Sequence, residues 1–209
     1  MSRQRDPLAV TGQAGLGACD DAAIVGQSVG EPERFAVLFD RHSAGIYRYL
    51  AQRVGPDLAD DLVAETFLRA FAARERYDTS RPDARPWLFG IATNLLGRHR
   101  RREVRFYRAI ARAGGDRAAW TSVAAFPDEV ADRVTAQGVR RQLAAGLASL
   151  SKGERDVVLL TAAAGLSYQE IAITLGVAAG TVSSRLSRAR QKLRQSLGQT
   201  DPRKEQCRD

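Results

Sequence analysis

The 209-residue chain predicts an all-α protein made of two small helical domains joined by a flexible linker. Three observations favour this fold class: apolar residues recur at helical spacing, no segment alternates as a strand would, and the periodicity fades over residues 109–137. A hydrophobic content of 44% supplies enough material for both cores. The expected order is a disordered leader over 1–30, a first domain over 31–108, the linker over 109–137, a second domain over 138–198 and a tail over 199–209.

The bulk composition points to a polyanionic partner. The formal net charge is +8 and the pI is near 10.2, which favours nucleic acid. There is no apolar run of about 18 residues and no apolar segment after Arg3 and Arg5, so we predict neither a membrane span nor a signal peptide. We therefore expect a cytoplasmic protein. Cys19 and Cys207 lie near opposite ends without CxxC spacing and are expected to be reduced thiols.

The first domain is expected to become ordered near Pro32. Its first helix carries His42 on the apolar face, where we interpret the imidazole as a packing group because no second ligand accompanies it. The same face holds a set of large apolar residues, namely Phe35, Leu38, Phe39, Ile46, Tyr47 and Leu50.

A Gly55-Pro56-Asp57 break precedes the second helix, which Asp57 is expected to cap. The apolar face of this helix holds Leu58, Leu62, Val63, Phe67, Ala70 and Phe71. The exposed side is acidic, with Asp60, Asp61 and Glu65. These carboxylates either complement the helix dipole or face a basic protein partner, and both interpretations stay open at this point.

A turn-rich loop over residues 76–82 leads to a third helix that Pro86 opens. From Arg85 to Arg108 there are seven arginines and one acid, Glu103, for a local net charge of 7 − 1 = +6. Basic runs are often plain solvated surface. Here Trp87, Asn94 and His99 are interleaved with the arginines, a mixture suited to gripping a phosphate backbone and stacking bases.

The second domain is expected to begin near Val139 and to continue through a capping box at Ser151 and Glu154. Residues 165–194 then predict a helix-turn-helix. Ser167 and Glu170 form a second capping box, and Gly176 permits the turn between the two helices.

The second helix of this motif separates cleanly into two faces. An inward stripe holds Val182, Leu186, Ala189 and Leu193, and residues 179–197 carry five basic side chains and no acidic one. A solvated amphipathic helix would be the default interpretation of this helix alone. Together with the capped first helix and the glycine turn, it favours binding in the major groove of DNA. The outward face holds Ser184, Ser187, Arg188 and Gln191, flanked by Arg185 and Lys192 on one side and Arg190 and Arg194 on the other.

Three segments in order carry a resemblance to a known family. They are residues 59–70, residues 85–94, and residues 166–172 followed by 180–190. In these segments the chain resembles the sigma-70 family, specifically the extracytoplasmic-function (ECF) sigma factors that carry only regions 2 and 4. The segments are similar to region 2.2, to regions 2.3 and 2.4, and to region 4.2 respectively.

The resemblance implies a dissociable subunit that brings core RNA polymerase to promoters and begins DNA melting. It further implies contacts with the clamp helices of the largest core subunit and with the flap. It also implies recognition of two promoter elements, the minus-10 element and the minus-35 element. The implied core-binding residues are Asp60, Asp61, Glu65, Phe67 and Arg69. The implied minus-10 residues are Tyr77, Asp78, Ser80, Trp87, Asn94, Arg98, Arg100 and Arg101, and the implied minus-35 residues are Ser183, Ser184, Arg185, Ser187, Arg188, Arg190 and Lys192.

We also expect an anti-sigma protein. The resemblance suggests one, and two compact domains on a linker could be clamped by a partner at little conformational cost. The sequence contains no segment that we interpret as autoinhibitory.

Two departures from the family pattern concern the recognition helix. Residues 177–179, Val-Ala-Ala, supply no side-chain cap, and Ser183 stands where many relatives carry a basic residue. A missing cap costs about 1 kcal/mol. Promoter preference is therefore not predicted from the sequence.

Two other function classes remain as alternatives. A conventional helix-turn-helix regulator would explain residues 165–194 but would leave residues 57–108 without a role. A nuclease would need metal-binding carboxylates, and Asp60, Asp61 and Glu65 are its crowded candidates, without histidine support. The sequence has no P-loop, HExxH or GxSxG motif, so we predict no enzyme, no cofactor and no metal site.

Overall fold

The computed structural model describes residues 20–113 and 130–198. Helices make up most of these residues, and no strand occurs among them. The predicted all-α fold class is confirmed. Short 3-10 turns at Pro32–Phe35 and Arg74–Arg76 accompany the helices. In chain order the helices are α1 (Asp21–Gln27), α2 (Ala36–Val54), α3 (Pro56–Ala73), α4 (Arg85–Arg98), α5 (Arg100–Ala113), α6 (Val130–Ser149), α7 (Lys152–Ala162), α8 (Tyr168–Leu175) and α9 (Ala179–Ser196).

Helix α1 corrects the expected start of order near Pro32. Asp20 caps it by accepting a hydrogen bond of 2.7 Å from the Ala23 amide, and Ile24 and Val25 are buried. A helix of seven residues with two large apolar side chains is too short to show a periodicity, so the sequence pattern missed it. Residues 1–19 of the predicted leader lie outside the described residues.

Helix α3 begins one residue earlier than its predicted cap. Pro56 occupies the first turn, where its missing amide costs nothing, and Asp57 follows inside the helix instead of capping it. The preceding Gly55 has φ of +86° and packs against the ring of Phe106. The turn therefore needs glycine both for its backbone conformation and for space.

The predicted linker is narrower in the structure than the range 109–137. Helix α5 continues to Ala113 and α6 begins at Val130. Helix α5 stays ordered because Tyr107 and Ile110 are buried and the helix packs along α6. Residues 114–129, the middle of the predicted linker, lie outside the described part of the chain.

The helix-turn-helix forms as its capping residues predict. The Ser167 amide donates to Glu170 at 2.6 Å, and the Glu170 amide donates to the Ser167 hydroxyl at 3.3 Å. Gly176 ends α8 with φ of +62°, a left-handed conformation. Ala178 precedes α9 without a side-chain cap, as the sequence indicated.

The two halves of the chain pack against each other. Helix α4 contacts α8, α5 contacts α6, and one continuous apolar cluster includes Leu88 and Leu96 from the first half with Val157 and Leu160 from the second. The division into two helical regions by sequence is compatible with this packing. The sequence pattern contained no sign of the contact between them.

Four charged side chains are buried where the halves meet. Arg53 of α2 donates to Glu103 of α5 and to Asp156 of α7, each at 2.5 Å. Arg155 of α7 donates to the other carboxylate oxygen of Glu103 at 3.0 Å. Burial alone lowers the pKa of Arg53, but the charges of Asp156 and Glu103 and the adjacent Tyr49 outweigh it and hold that pKa above its usual range. Arg53 therefore stays charged inside the core.

Candidate nucleic-acid and partner interfaces

Helix α9 presents a polar face opposite its packed stripe. Val182, Leu186 and Ala189 are buried against the rest of the second half. Of the predicted minus-35 residues, five are exposed on one surface: Ser183, Ser184, Ser187, Arg188 and Arg190. Short hydroxyl side chains beside arginines can approach base edges and phosphates of a duplex.

The two remaining predicted minus-35 residues lie on the side of α9 that faces α7. The Lys192 ammonium donates to the two carboxylate oxygens of Glu154 at 2.8 and 3.1 Å, and the Arg185 guanidinium lies over Gly153. Arg188 approaches the same carboxylate at 3.7 Å. Burial raises the pKa of Glu154, but hydrogen bonds from Lys192 and Ser151 outweigh it and lower that pKa.

Glu154 thus has a second role that its capping box did not reveal. Besides capping α7, it holds the basic edge of α9 in place through Lys192. Lys192 and Arg185 are only half-exposed and are less free to reach DNA than the sequence suggested.

An open groove lies on the opposite edge of α9. It has a volume of about 490 Å³ and is lined by apolar side chains together with Ser183, Ser187, Arg190 and Arg194. Tyr168 of α8 forms its wall and is 41% exposed. The apolar lining is Tyr168, Leu186, Leu193 and Leu197.

The loop before α4 is built around two aromatic rings. Tyr77 packs on Trp87 with ring centroids 4.8 Å apart, and its hydroxyl donates to the Arg81 carbonyl at 2.7 Å. Asp78 accepts hydrogen bonds from Ser80 and Arg81. These contacts fix the loop before any ligand binds.

Tyr77 corrects one predicted minus-10 contact. Its side chain is buried, because it fills the space between the loop and Trp87, and it supports the loop instead of facing solvent. Burial, reinforced by the charge of Asp21, raises the pKa of Tyr77 to about 12. Trp87 is half-buried. The exposed members of the predicted set are Asp78, Ser80, Asn94, Arg98, Arg100 and Arg101.

Helix α1 supports this loop through Asp21. One carboxylate oxygen accepts from the Ala84 amide at 3.1 Å and lies 2.7 Å from His42 Nε2, and the other accepts from Arg41 at 3.0 Å. Burial raises the pKa of Asp21, but these partners, His42 foremost, outweigh it and lower that pKa to about 2. His42, interpreted from sequence as a packing residue, is also the polar partner of Asp21, and Asp21, which the sequence pattern missed, holds the Ala84 amide.

A row of arginines runs along α5 beyond the predicted minus-10 set. Arg101, Arg105, Arg108 and Arg112 are all exposed and recur at i, i+4, i+7 and i+11. We call these four residues the arginine stripe. It is roughly 16 Å long, from 1.5 Å of rise per residue. Glu103 and Tyr107 occupy the opposite, buried face of the helix.

The acidic helix α3 carries an exposed apolar residue that the sequence reasoning left out. Asp60 and Asp61 are exposed, and Glu65 pairs with Arg69 at 2.5 Å. Phe67, predicted to bind core polymerase, is only 6% exposed because its ring packs on Phe39 at 4.9 Å. This corrects its assignment.

The neighbouring Leu68 is 68% exposed, and Phe39 of α2 is 44% exposed. Together with Asp61 and Glu65 they form a mixed apolar and acidic surface. A surface that combines apolar side chains with carboxylates is suited to a protein partner with an apolar and basic face.

None of the helices within residues 20–113 and 130–198 has the length and hydropathy of a membrane span.

Two family models match the chain in the order of its two halves. Sigma-70 region 2 matches residues 38–106, and sigma-70 region 4 matches residues 140–193. The first match contains α3, α4 and the first half of α5, and the second contains the helix-turn-helix.

Similar proteins include sigma factors from several bacteria. The ECF RNA polymerase sigma factor SigL of Mycobacterium tuberculosis is 38% identical over 178 residues, which cover 84% of this chain and 96% of SigL. Among solved structures, CnrH in complex with the cytosolic domain of CnrY is 27% identical, with a TM-score of 0.55 over 83% of this chain and 94% of that chain. The sigma factor RpoE in complex with the anti-sigma factor NepR from Bartonella quintana is 26% identical, with a TM-score of 0.50 over 83% of this chain and 99% of that chain.

Proposed function

The chain belongs to the sigma-70 family as an ECF sigma factor, and from this membership we propose how its surfaces divide the work of transcription initiation. One observation carries the proposal. The same chain presents a basic helix-turn-helix on α9, a basic and aromatic surface around α4 and α5, and an acidic-apolar surface on α3. A DNA-binding regulator needs only the first of these, whereas a polymerase subunit uses all three.

Region 4 reads the minus-35 element as duplex DNA through α9. Arg188 and the hydroxyls of Ser184 and Ser187 face the base edges, and Arg190 and Arg194 meet phosphates. Lys192 fixes α9 to α7 through its ion pair with Glu154 and contributes little to DNA contact. This assignment is supported by the exposure of the first group and by the 2.8 Å ion pair of Lys192.

Region 2 captures the minus-10 element as it melts. An unstacked base costs a few kcal/mol and needs a pocket and a stacking surface to offset that cost. The rigid loop over residues 77–84 and the edge of Trp87 supply that surface, while Asn94 and Arg98 line it. Asp21 and Tyr77 hold the loop in place without contacting DNA.

The arginine stripe binds the phosphates of the adjoining duplex. Its four guanidinium groups lie on one exposed face of α5, and none of them forms an ion pair among the described residues. A row about 16 Å long can follow a few consecutive phosphates of one strand. The stripe therefore extends the minus-10 surface with contacts that do not depend on sequence.

Core polymerase binds to the surface formed by Asp61, Glu65, Leu68 and Phe39. The carboxylates orient a basic partner, and the exposed leucine supplies apolar contact area whose contribution to affinity does not depend on salt. The clamp helices of the largest core subunit are the partner that family membership implies, and region 4 meets the flap. We place the protein in the bacterial cytoplasm, where that polymerase works.

We also propose an anti-sigma partner. CnrH and RpoE resemble this chain over most of its length; CnrH was solved with the cytosolic domain of CnrY, and RpoE with the anti-sigma factor NepR. The exposed apolar residues of this chain, among them Leu68 and Tyr168, offer such a partner contacts that the basic surfaces alone do not.

The decisive experiment is transcription of sheared bacterial DNA by purified core polymerase with and without the chain, followed by sequencing of RNA 5′ ends. We expect new 5′ ends that share two upstream elements with fixed spacing. The chain alone should bind duplex DNA weakly. If the free protein instead binds paired half-sites tightly and adds no new 5′ ends, it is a conventional regulator.

A further inference from the structure

One carboxylate joins α7 to the edge of α9 that faces it. Glu154 Oε2 accepts a hydrogen bond from Lys192 Nζ at 2.8 Å, and Oε1 accepts from the same ammonium at 3.1 Å. Oε1 also lies 3.7 Å from Nε of Arg188. The Glu154 side chain is 6% exposed, whereas those of Lys192 and Arg188 are 43% and 60% exposed. A buried anion thus faces two cations of the helix that reads DNA.

The position of the Glu154 carboxylate is fixed by its own helix. The Ser151 amide donates to Oε2 at 2.9 Å, and the Glu154 amide donates to the Ser151 hydroxyl at 3.4 Å. Burial raises the pKa of Glu154, but hydrogen bonds from Lys192 and Ser151 outweigh it and hold that pKa below its usual value. The group is therefore an anion at neutral pH, and it is held at one place beside α9.

The two edges of α9 carry their cations in different states. On the edge away from α7, Arg190 and Arg194 are exposed, and neither forms an ion pair with another residue in the described part of the chain. On the edge toward α7, the charge of Lys192 is neutralised by Glu154. Because free cations bind phosphates of any sequence, Glu154 removes one source of binding that does not depend on sequence.

A phosphate does not readily replace Glu154 as the partner of Lys192. If the ammonium turned to DNA, the buried carboxylate would keep the Ser151 amide but would lose its closest cation. Breaking a buried ion pair in this way is strongly unfavourable. The uncompensated carboxylate would also repel the phosphate. We therefore expect Lys192 to stay with Glu154 when α9 enters the major groove.

The same carboxylate restricts the orientation of Arg188. Arg188 approaches Glu154 through Nε, the guanidinium nitrogen nearest to its aliphatic stem. An arginine recognises guanine by donating two hydrogen bonds together, to O6 and N7. The two Nη groups, at the far end of the side chain, remain suited to that contact. A side chain that is already oriented loses less entropy when it binds, so Glu154 favours the contact that depends on sequence.

We propose that Glu154 is a specificity-determining positioning residue of region 4, which withholds Lys192 from DNA and orients Arg188 toward the base edges. Helix α9 then binds phosphates mainly through Arg190 and Arg194. This role rests on the proposed function, in which α9 reads the minus-35 element. An acidic side chain outside the reading face thus decides how strictly α9 discriminates between sequences.

Glu154→Gln tests this role without removing the cap of α7. Glutamine can replace glutamate at the third residue of a capping box, so the helix keeps its start while the charge is lost. We expect the full chain without polymerase to bind a scrambled duplex at least about threefold more tightly at low salt. Its salt slope should steepen by about one unit, because Lys192 becomes free to neutralise one phosphate. Fluorescence anisotropy titrations at several salt concentrations measure both quantities.

Titrations of the holoenzyme measure discrimination between sequences. In Glu154→Gln, the ratio of affinities for the preferred and the scrambled minus-35 element should fall at least about threefold, because Arg188 is no longer oriented. Adding Lys192→Met should return the salt slope and the affinity for the scrambled element to the values of the parent chain. It should not restore the ratio, because Arg188 still lacks its carboxylate partner.

Glu170→Gln is the matched control. It makes the same substitution at the third residue of the other capping box, where Glu170 accepts from the Ser167 amide at 2.6 Å and has Arg85 of α4 as its charged neighbour. This variant should leave the salt slope and the ratio of affinities unchanged. Urea unfolding of each variant shows that the comparison is made between folded proteins.

Three results would overturn the proposal. One is a Glu154→Gln chain that binds scrambled DNA with the affinity and salt slope of the parent. Another is a Glu154→Gln, Lys192→Met chain that keeps the raised affinity of the single variant. The third is an equal effect of Glu154→Gln and Glu170→Gln, which would show that only overall charge matters. If the parent holoenzyme prefers no minus-35 element, the proposed function fails instead, and the titrations without polymerase still decide whether Glu154 restrains Lys192.

Discussion

Arg53 and Asp156 are 103 residues apart in the chain, yet Nη2 of Arg53 lies 2.5 Å from Oδ1 of Asp156 with both side chains buried. Asp156 has one other cation within reach, Lys152 on its own helix at 2.7 Å. Arg53 also donates to Glu103 and Tyr49 within region 2. The Arg53–Asp156 pair is thus the ion contact whose removal reports most directly on the packing of the two regions.

The first prediction is energetic coupling between these two residues. Arg53→Met and Asp156→Leu should each destabilise the free protein, because each leaves a buried charge short of a partner. The double variant should be less destabilised than the sum of the two, with a coupling energy of about 1–3 kcal/mol. Urea unfolding followed by circular dichroism measures all four free energies. Strict additivity would mean that the regions do not pack this way in solution.

The second prediction separates two adjacent residues on α3. Phe67→Ala should cost about 3–5 kcal/mol of stability, because it removes a ring from the core. Leu68→Ala should change stability by less than about 0.5 kcal/mol, because its side chain lies in solvent. Leu68→Ala should nevertheless weaken competition for core polymerase. Urea unfolding and competition with a labelled sigma factor provide the two measurements, and unchanged competition would remove Leu68 from the core-binding surface.

The parts of the fold that could be predicted from sequence are those that depend on residues close together in the chain. The capping boxes at Ser151 and Ser167 and the turn at Gly176 depend on residues within three positions of one another, and all three are present in the structure. Phe67 was expected on an exposed surface but is buried, whereas Leu68, one residue further on, is exposed. One step along a helix turns the side chain by about 100°, enough to exchange a core position for a solvent position.

The features that the sequence pattern missed depend on contacts between residues that are far apart in the chain. Glu103 reads as a lone acid in a basic run, and only the fold brings Arg53 and Arg155 to it. Helix α1 has too few apolar residues to show a period, and Asp21 finds its partners 20 to 63 residues away. Periodicity reports which face of a helix is buried, and it carries no information on which other helix covers that face.

The third prediction concerns the recognition helix. Arg188→Ala should weaken binding of the holoenzyme to its preferred minus-35 element by about 1–3 kcal/mol and relax specificity there. Arg190→Ala should weaken binding to all sequences similarly and reduce the salt slope by about one unit. Titrations on cognate and scrambled elements at several salt concentrations separate the two effects. Equal losses on both elements for both variants would show that the reading face is misassigned.

The fourth prediction concerns the arginine stripe. Arg105→Gln with Arg108→Gln should lower the salt slope of promoter binding by the holoenzyme by about two units, because two phosphates are then no longer neutralised. The accompanying loss of binding affinity should not depend on the sequence of the duplex. Arg48→Gln with Arg141→Gln removes the same charge from exposed sites on α2 and α6 and should leave the slope unchanged. If both pairs have the same effect, the stripe acts only through overall charge.

The last prediction concerns Asp21, which ties α1 to the loop before α4. Asp21→Asn keeps an acceptor for the Ala84 amide but loses the charge that faces His42 and Arg41, so it should cost about 1–3 kcal/mol near neutral pH. The folded pKa of about 2 lies below the usual 3.8, so the carboxylate stabilises the fold fully above that usual value and loses the contribution as pH falls through the folded pKa.

The difference in unfolding free energy between the parent chain and Asp21→Asn should therefore be constant above pH of about 4 and shrink below it. Urea unfolding at a series of pH values measures this difference. A difference that grows on acidification would contradict the assignment. Because Asp21 is buried and holds the Ala84 amide at the end of the loop, the variant should also reduce open-complex formation more than binding to duplex promoter. Permanganate footprinting and gel shift of the holoenzyme can distinguish the two effects.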